Sequence, residues 1–176
     1  MRGTRRLSYV QRWGIVPKIR PQSVAEHSYY VALYTMRICD ILKVLPEIKV
    51  QAVSYALVHD MAEAFTADIP SPLKKRLSDY EGAEKAVKKW MLGDTSNPDA
   101  MVKSIVKIAD LLDAVVWLTE EESMGNGRLK KLRRQINGFL EQELDKIDGI
   151  DPAAKIENFV FEILTESEKG IAWYAE

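Results

Sequence analysis

The stretch Ser23-Val24-Ala25-Glu26-His27-Ser28-Tyr29-Tyr30-Val31 decides the fold class. Its first four residues form a capping box, in which the serine oxygen takes an early helical N–H and the glutamate reaches back. Val24, His27, Tyr30, Val31 and Tyr34 then recur at i, i+3 and i+4 spacing, so they share one face of a helix running to about Leu42. Working outward, Pro46 sits at the next helix start, where its missing N–H does no harm. Ile48, Ala52, Tyr55, Ala56 and His59 make the following stripe, which ends near Phe65. The segment Ala67-Asp68-Ile69-Pro70-Ser71-Pro72 is expected to be a loop, since two closely spaced prolines oppose a helix. Helical pattern resumes from about Leu73 to Leu92, and a turn cluster covers Gly93 to Pro98. Pro98 or Asp99 opens a long helix with Ile105, Ile108, Leu112, Val115 and Val116 inward, and Gly125-Asn126-Gly127 stops it. Two more helices are expected, from about Arg128 to Ile147 and from Pro152 to Tyr174. No run of alternating β-branched residues suggests a sheet. The expectation is one all-α domain over residues 1–176, a bundle of about six to eight helices.

Composition narrows the function. The chain has 176 residues, 47% hydrophobic and 29% charged, enough apolar side chain to offset ordering entropy. Its 25 Lys+Arg balance 26 Asp+Glu, which gives no support to general nucleic-acid binding. The run Lys130-Lys131-Leu132-Arg133-Arg134 reads as a solvated face or a subunit contact, and Glu141, Glu143 and Asp145 balance it. A single cysteine, Cys39, excludes an internal disulfide framework and fits a reducing compartment. The basic start, Met1 to Arg6, lacks the apolar stretch of a signal peptide. Apolar runs such as Ala114 to Leu118 fall far short of the ~18 residues that a membrane span needs. A cytoplasmic location without a membrane partner is therefore expected.

Only two histidines occur, His27 and His59. His59-Asp60 ends an otherwise apolar stripe, and Asp110 interrupts another. Each is costly to bury alone. Together they make two neutral nitrogen ligands and two carboxylates for one divalent ion, whose charge the carboxylates cancel. Four protein ligands leave positions for a water and a phosphate oxygen on a metal that accepts five or six. Taken singly, each residue reads as well as a hydrogen-bonded core histidine or a chance dipeptide. The order His, His-Asp, Asp on three separate helices is what raises the metal reading.

That order, His27, His59-Asp60, Asp110, resembles the signature of the HD-domain metal-dependent phosphohydrolases. More narrowly, Arg12-Trp13, Ser23 to Ser28, His59-Asp60-Met61-Ala62-Glu63, Asp68 to Lys74 and Lys107-Ile108-Ala109-Asp110 resemble the YfbR-type 5′-deoxynucleotidase branch. These blocks run from Arg12 to about Asp113, and the last sixty or so residues carry no motif. The same branch contains the DatZ-type phage enzymes, which cleave dATP to deoxyadenosine and triphosphate. The histidine spacing, and Ile15 two residues after the Arg-Trp pair, resemble that type more. The resemblance implies an all-helical fold and a homo-oligomer, with the C-terminal helices as a candidate contact. It also implies one divalent transition metal (Co, Mn, Zn, Ni or Fe) and a small-molecule deoxynucleotide substrate.

The resemblance also implies roles. Metal-assisted hydrolysis needs an activated water and a protonated leaving oxygen. Glu63, one turn beyond His59, and Asp68 are the two proton-handling candidates. Arg12 would grip phosphate oxygens with its planar fork, where it otherwise reads as one more basic residue of a basic N-terminal helix. Trp13 would crowd out a 2′-hydroxyl, and Ile15 would face the base. His27, Asp68, Ser71, Pro72 and Lys74 would line the substrate side of the site, Lys74 mattering most for a triphosphate.

Other reactions of this class fit less well. Alarmone-type hydrolases carry a Glu-Asp pair shortly after the His-Asp, whereas here Ala64 follows Glu63. Two-metal phosphodiesterases need further histidines. A 5′-deoxynucleotidase acting on monophosphates is the alternative within enzymes. A catalytically silent nucleotide-binding module is the alternative outside them, against which stands the full set of ligands and acids. A plain structural helical protein leaves the spacing unexplained.

Overall fold

The computed structural model describes residues 3–93, 97–146 and 153–169. After a short 3-10 turn, Thr4–Ser8, the helices are α1 (Val24–Leu42), α2 (Pro46–Val58), α3 (Glu63–Thr66), α4 (Ser71–Lys74), α5 (Tyr80–Leu92), α6 (Ala100–Ser123), α7 (Lys130–Asp145) and α8 (Ala153–Lys169). No strand forms among the described residues, where one isolated bridge joins Gln11 to Ser23. The expected all-α architecture is what the chain adopts. The expected ends at Ile147 and Tyr174 lie outside the described residues.

The long helix α6 is the axis of the bundle, with α1, α2, α7 and α8 packed around it. The sequence pattern marks one inner stripe on α6. In the structure Val102, Val106, Ala109, Leu111, Ala114 and Leu118 are buried as well, because neighbours cover most sides. A helix that is apolar nearly all round belongs in a core. Its start is set by Asp99, whose carboxylate accepts the Val102 N–H at 2.7 Å. Its end falls before Gly125, which takes φ 100, a conformation glycine adopts without steric cost. The Ser23 hydroxyl likewise caps α1, accepting the Glu26 N–H at 3.1 Å. Cys39 is buried in the main core, as a small hydrophobe.

Four expectations need correction. The second helix ends at Val58 instead of near Phe65. His59 is its last cap, and tight turn bonds from Met61 N to Val58 O (3.1 Å) and Glu63 N to Asp60 O (3.0 Å) replace helical ones before α3. The double-proline loop contains one helical turn, α4, because Pro72 falls in the first turn, where no N–H is needed. The helix expected from Leu73 begins only at Tyr80. Asp79 precedes it at φ 61, and its carboxylate occupies the space a Cβ on Gly82 would fill. Tyr30, read as an inner residue of α1, is 40% exposed, whereas Val24, His27 and Val31 are buried.

Candidate metal centre

α1, the end of α2 and α6 bring the two histidines and two aspartates together. One ligand atom from each of His27, His59 and Asp60 lies within 4.8 Å of the others. The imidazole rings meet edge to face, with centroids 5.3 Å apart. Asp60 Oδ2 stands 3.2 Å from His59 Nε2 and 3.6 Å from His27 Nε2. Asp110 stands outside that mutual trio, but its Oδ1 is 3.3 Å from His27 Nε2. Lys107 holds the other Asp110 oxygen at 2.7 Å.

Both rings are anchored from behind. His59 Nδ1 lies 2.7 Å from the Ala56 carbonyl, which only accepts, so Nδ1 carries the proton. His27 Nδ1 lies 2.6 Å from Asp113 Oδ2. In both residues Nε2 is buried with no hydrogen-bond partner. Two imidazole nitrogens and the Asp60 carboxylate facing one another, with the opposite ring nitrogens tied down and Asp110 3.3 Å from one of them, are a donor set that suits a divalent transition metal. The residues present therefore fit such an ion.

The carboxylates make this a region that favours positive charge, whether a proton on His59 or a metal ion. Burial works against a charged His59, but Asp60 and then Asp110 outweigh it and raise its pKa to about 9. Burial would push Asp60 up, yet His59 and His27 pull it below the usual carboxylate range. Asp110 is also driven well below that range, against burial, by His27 and Lys107.

Arg12 is not in an N-terminal helix. It follows the 3-10 turn, in a bend whose N–H donates to Gln22 O at 2.9 Å. Its Nη1 donates to Gln22 Oε1 (3.0 Å) and Asp113 Oδ2 (3.3 Å), while Nη2 stands 4.0 Å from Asp110 Oδ1. Trp13 takes φ 62, and its N–H donates to Asp68 Oδ2 at 3.0 Å. Its ring stacks on Trp117, centroids 4.9 Å apart, so one face is already covered. Glu63 is buried in α3. Lys74 donates to its Oε1 at 2.8 Å, while Oε2 has no partner. Burial and the nearby Asp60 raise the Glu63 pKa to about 7, against the pull of Lys74. Ile15 is 78% exposed, and Ser71 and Pro72 are exposed on α4. Among the described residues, no hydrogen bond or ion pair ties these three to the centre.

The sequence reading missed Gln22, Asp113 and Glu121, all buried and polar. The signal available was one acid, Asp113, inside the otherwise apolar run Leu111 to Leu118, and another, Glu121, eight residues further along the same helix. A cavity of about 190 Å³ opens behind Asp113, between Arg20, Tyr30, Tyr34, Trp117 and Glu120. None of the four candidate ligands lines it.

An all-helical bundle with a His, His-Asp, Asp centre on three elements defines the class of HD-domain phosphohydrolases, and comparison with known proteins agrees. The backbone superposes on the cyanophage S-2L HD phosphohydrolase DatZ, bound to dA and one catalytic Zn2+ ion, with a TM-score of 0.76 at 21% identity. That match covers 93% of this chain and 95% of that one. A conserved hypothetical protein of Pyrococcus furiosus gives a TM-score of 0.72 at 25% identity, covering 93% and 96%. A dATP triphosphohydrolase of Salmonella phage PMBT28 is 33% identical over 78% of this chain and 76% of its own. A 5′-deoxynucleotidase of Shewanella oneidensis is 29% identical over 77% and 80%. The family model for YfbR-like 5′-deoxynucleotidases matches residues 1–92. The chain belongs to the YfbR-like 5′-deoxynucleotidase family of HD-domain enzymes.

No helix among the described residues is long and apolar enough to cross a membrane.

Proposed function

We propose that the chain hydrolyses dATP to deoxyadenosine and triphosphate. The observation that carries a hydrolytic centre is the pair of buried, partnerless Nε2 atoms facing the Asp60 and Asp110 carboxylates. The preference for dATP rests on the relatives, since a triphosphohydrolase is more similar to this chain than the Shewanella nucleotidase is.

His27, His59, Asp60 and Asp110 would hold one divalent ion, of the Mn, Fe, Co, Ni or Zn group. When bound, that ion supplies positive charge to phosphoryl oxygens and acidity to a water. The protein does the rest. Arg12 has Nη1 engaged by Gln22 and Asp113, so Nη2 is the arm that reaches the α-phosphate. Glu63 and Asp68 divide the proton work. One proton leaves the water as its oxygen bonds to phosphorus, and one arrives on the 5′-oxygen as the P–O bond breaks. Glu63, with Oε2 unengaged, suits the water. Asp68, fixed by the Trp13 N–H, suits the leaving oxygen. Trp13, backed by Trp117, is the wall that a 2′-hydroxyl would meet. His27 borders the substrate as well as the ion. Ile15 would face the base, and Ser71, Pro72 and Lys74 the outer phosphates.

The second reading is a 5′-deoxynucleotidase acting on monophosphates, favoured by the family description over residues 1–92. Incubation of the metal-loaded chain with dATP, dGTP and dAMP separates the two. Release of deoxyadenosine and intact triphosphate from dATP supports the first; orthophosphate from dAMP alone supports the second. Nucleotide binding without turnover under any of the five metals would leave a silent binding module. The homo-oligomer and the cytoplasmic location belong to the same reading, and light scattering of the purified chain decides the oligomer.

A further inference from the structure

Asp113 gathers three donors on one oxygen. His27 Nδ1 lies 2.6 Å from its Oδ2, Gln22 Nε2 donates to it at 3.0 Å, and Arg12 Nη1 donates at 3.3 Å. The side chain is 3% exposed, so water does not compete for that oxygen. His27 Nδ1 faces a guanidinium nitrogen at 2.9 Å as well as the carboxylate. An arginine N–H can only donate and a carboxylate only accept, so the ring nitrogen satisfies one of them. The 2.6 Å contact is the shorter, and without a proton between them it would set a lone pair against an anion. Nδ1 therefore carries the hydrogen and gives it to Asp113, while Arg12 spends its own on Gln22 and Asp113. His59 shows the same division, with Nδ1 given to a carbonyl and Nε2 left free.

We propose that Asp113 is the positioning residue of the centre. It fixes His27 in the tautomer that presents an unprotonated Nε2, and through the same oxygen it ties that ring to Arg12. The inference rests on the metal reading given above. Metal grip and phosphate grip then share one anchor, so disturbing Asp113 weakens both. Asp113 sits one turn beyond Asp110 on α6, so a single helix supplies both a ligand and the group that orients another ligand.

Two measurements on the full chain test this. Long-range imidazole 15N–1H spectra of the Zn2+-loaded wild type should place the His27 proton on Nδ1 with Nε2 ligated; a proton on Nε2 overturns the proposal. This needs no variant, so it decides even if Asp113→Asn fails to fold. Chelator competition should show Zn2+ affinity about 10–100-fold weaker in Asp113→Asn, with the far-UV circular dichroism of the metal-free chain unchanged. Affinity within twofold of wild type overturns the proposal while leaving the metal reading intact. A wild type that takes up no Zn2+ sinks the metal reading, and this proposal with it.

Discussion

Glu63 sits in surroundings at odds with its chemistry. It is 2% exposed, with one oxygen held by Lys74 and the other unengaged. A structural carboxylate so placed would be expected to have both oxygens bonded. If it handles the water's proton, Glu63→Gln should lower kcat about 10²–10⁴-fold while metal content by mass spectrometry stays at the wild-type level. Loss of metal with the activity would assign Glu63 to holding the ion instead. Arg12 makes a different prediction. Arg12→Lys keeps the charge but cannot reach Gln22, Asp113 and a phosphate at once. Losing a charged hydrogen bond should raise KM for the nucleotide about 10–100-fold, and steady-state kinetics would show it.

At the scale of elements, α6 and the segment before α1 depend on each other. Glu121 is fully buried in α6 and accepts N–H bonds from Ile19 (2.8 Å), Arg20 (2.6 Å) and the Asn126 side chain (2.7 Å). Burial alone would raise its pKa, but these donors more than offset it and hold it below the usual glutamate value. A depressed native pKa gives stability that is present above the unfolded value and lost as pH falls through the native one. Glu121→Gln should therefore destabilise the chain by about 1.5–3 kcal/mol near neutrality, and the gap to wild type should narrow in acid. Denaturant melts at pH 7 and pH 3 would check both. Trp117→Ala removes the platform under Trp13 and should cost about 3–5 kcal/mol, read as a lower thermal midpoint.

The legibility of the sequence follows the same division. Helices with a strong cap and a long apolar stripe, α1 and α6, could be read from Ser23, Asp99 and the spacing behind them. The proximity of His27, His59, Asp60 and Asp110 could be read because such side chains are costly in apolar stripes unless they meet. The break after Val58 was not, since it is made by backbone turn bonds at Met61 and Glu63 that no proline or glycine announces. Asp79 at positive φ hid the late start of α5. Asp113 and Glu121 escaped because their partners, His27, Arg12, Ile19 and Arg20, lie about a hundred residues earlier. Local pattern carries no record of such distant pairings.

For the whole molecule, the centre is the place where an N-terminal segment, two helices and the α6 axis meet. An ion held by the proposed ligands would bridge three separate elements and so link stability to metal, because anything that binds only the folded state stabilises it. Prolonged chelation should lower the thermal midpoint as well as abolish turnover. Restoring a divalent metal should return both, by calorimetry and product assay. Asp60→Ala should remove that metal-dependent rise in midpoint while the metal-free chain still folds.

Asp110, Asp113, Trp117 and Glu121 lie within about 80° of one another around α6, at roughly 100° per residue, along three turns of the rod. Each grasps something different: the His27 Nε2 side of the proposed metal centre, the Nδ1 side of the same ring, the Trp13 indole and the Ile19–Arg20 amides. The rod cannot roll or slide without releasing all four at once. Amide deuteration at Trp13, Ile19 and Arg20 should therefore keep pace with the middle of α6, as one cooperative unit, although these residues lie in a loop that would ordinarily exchange first.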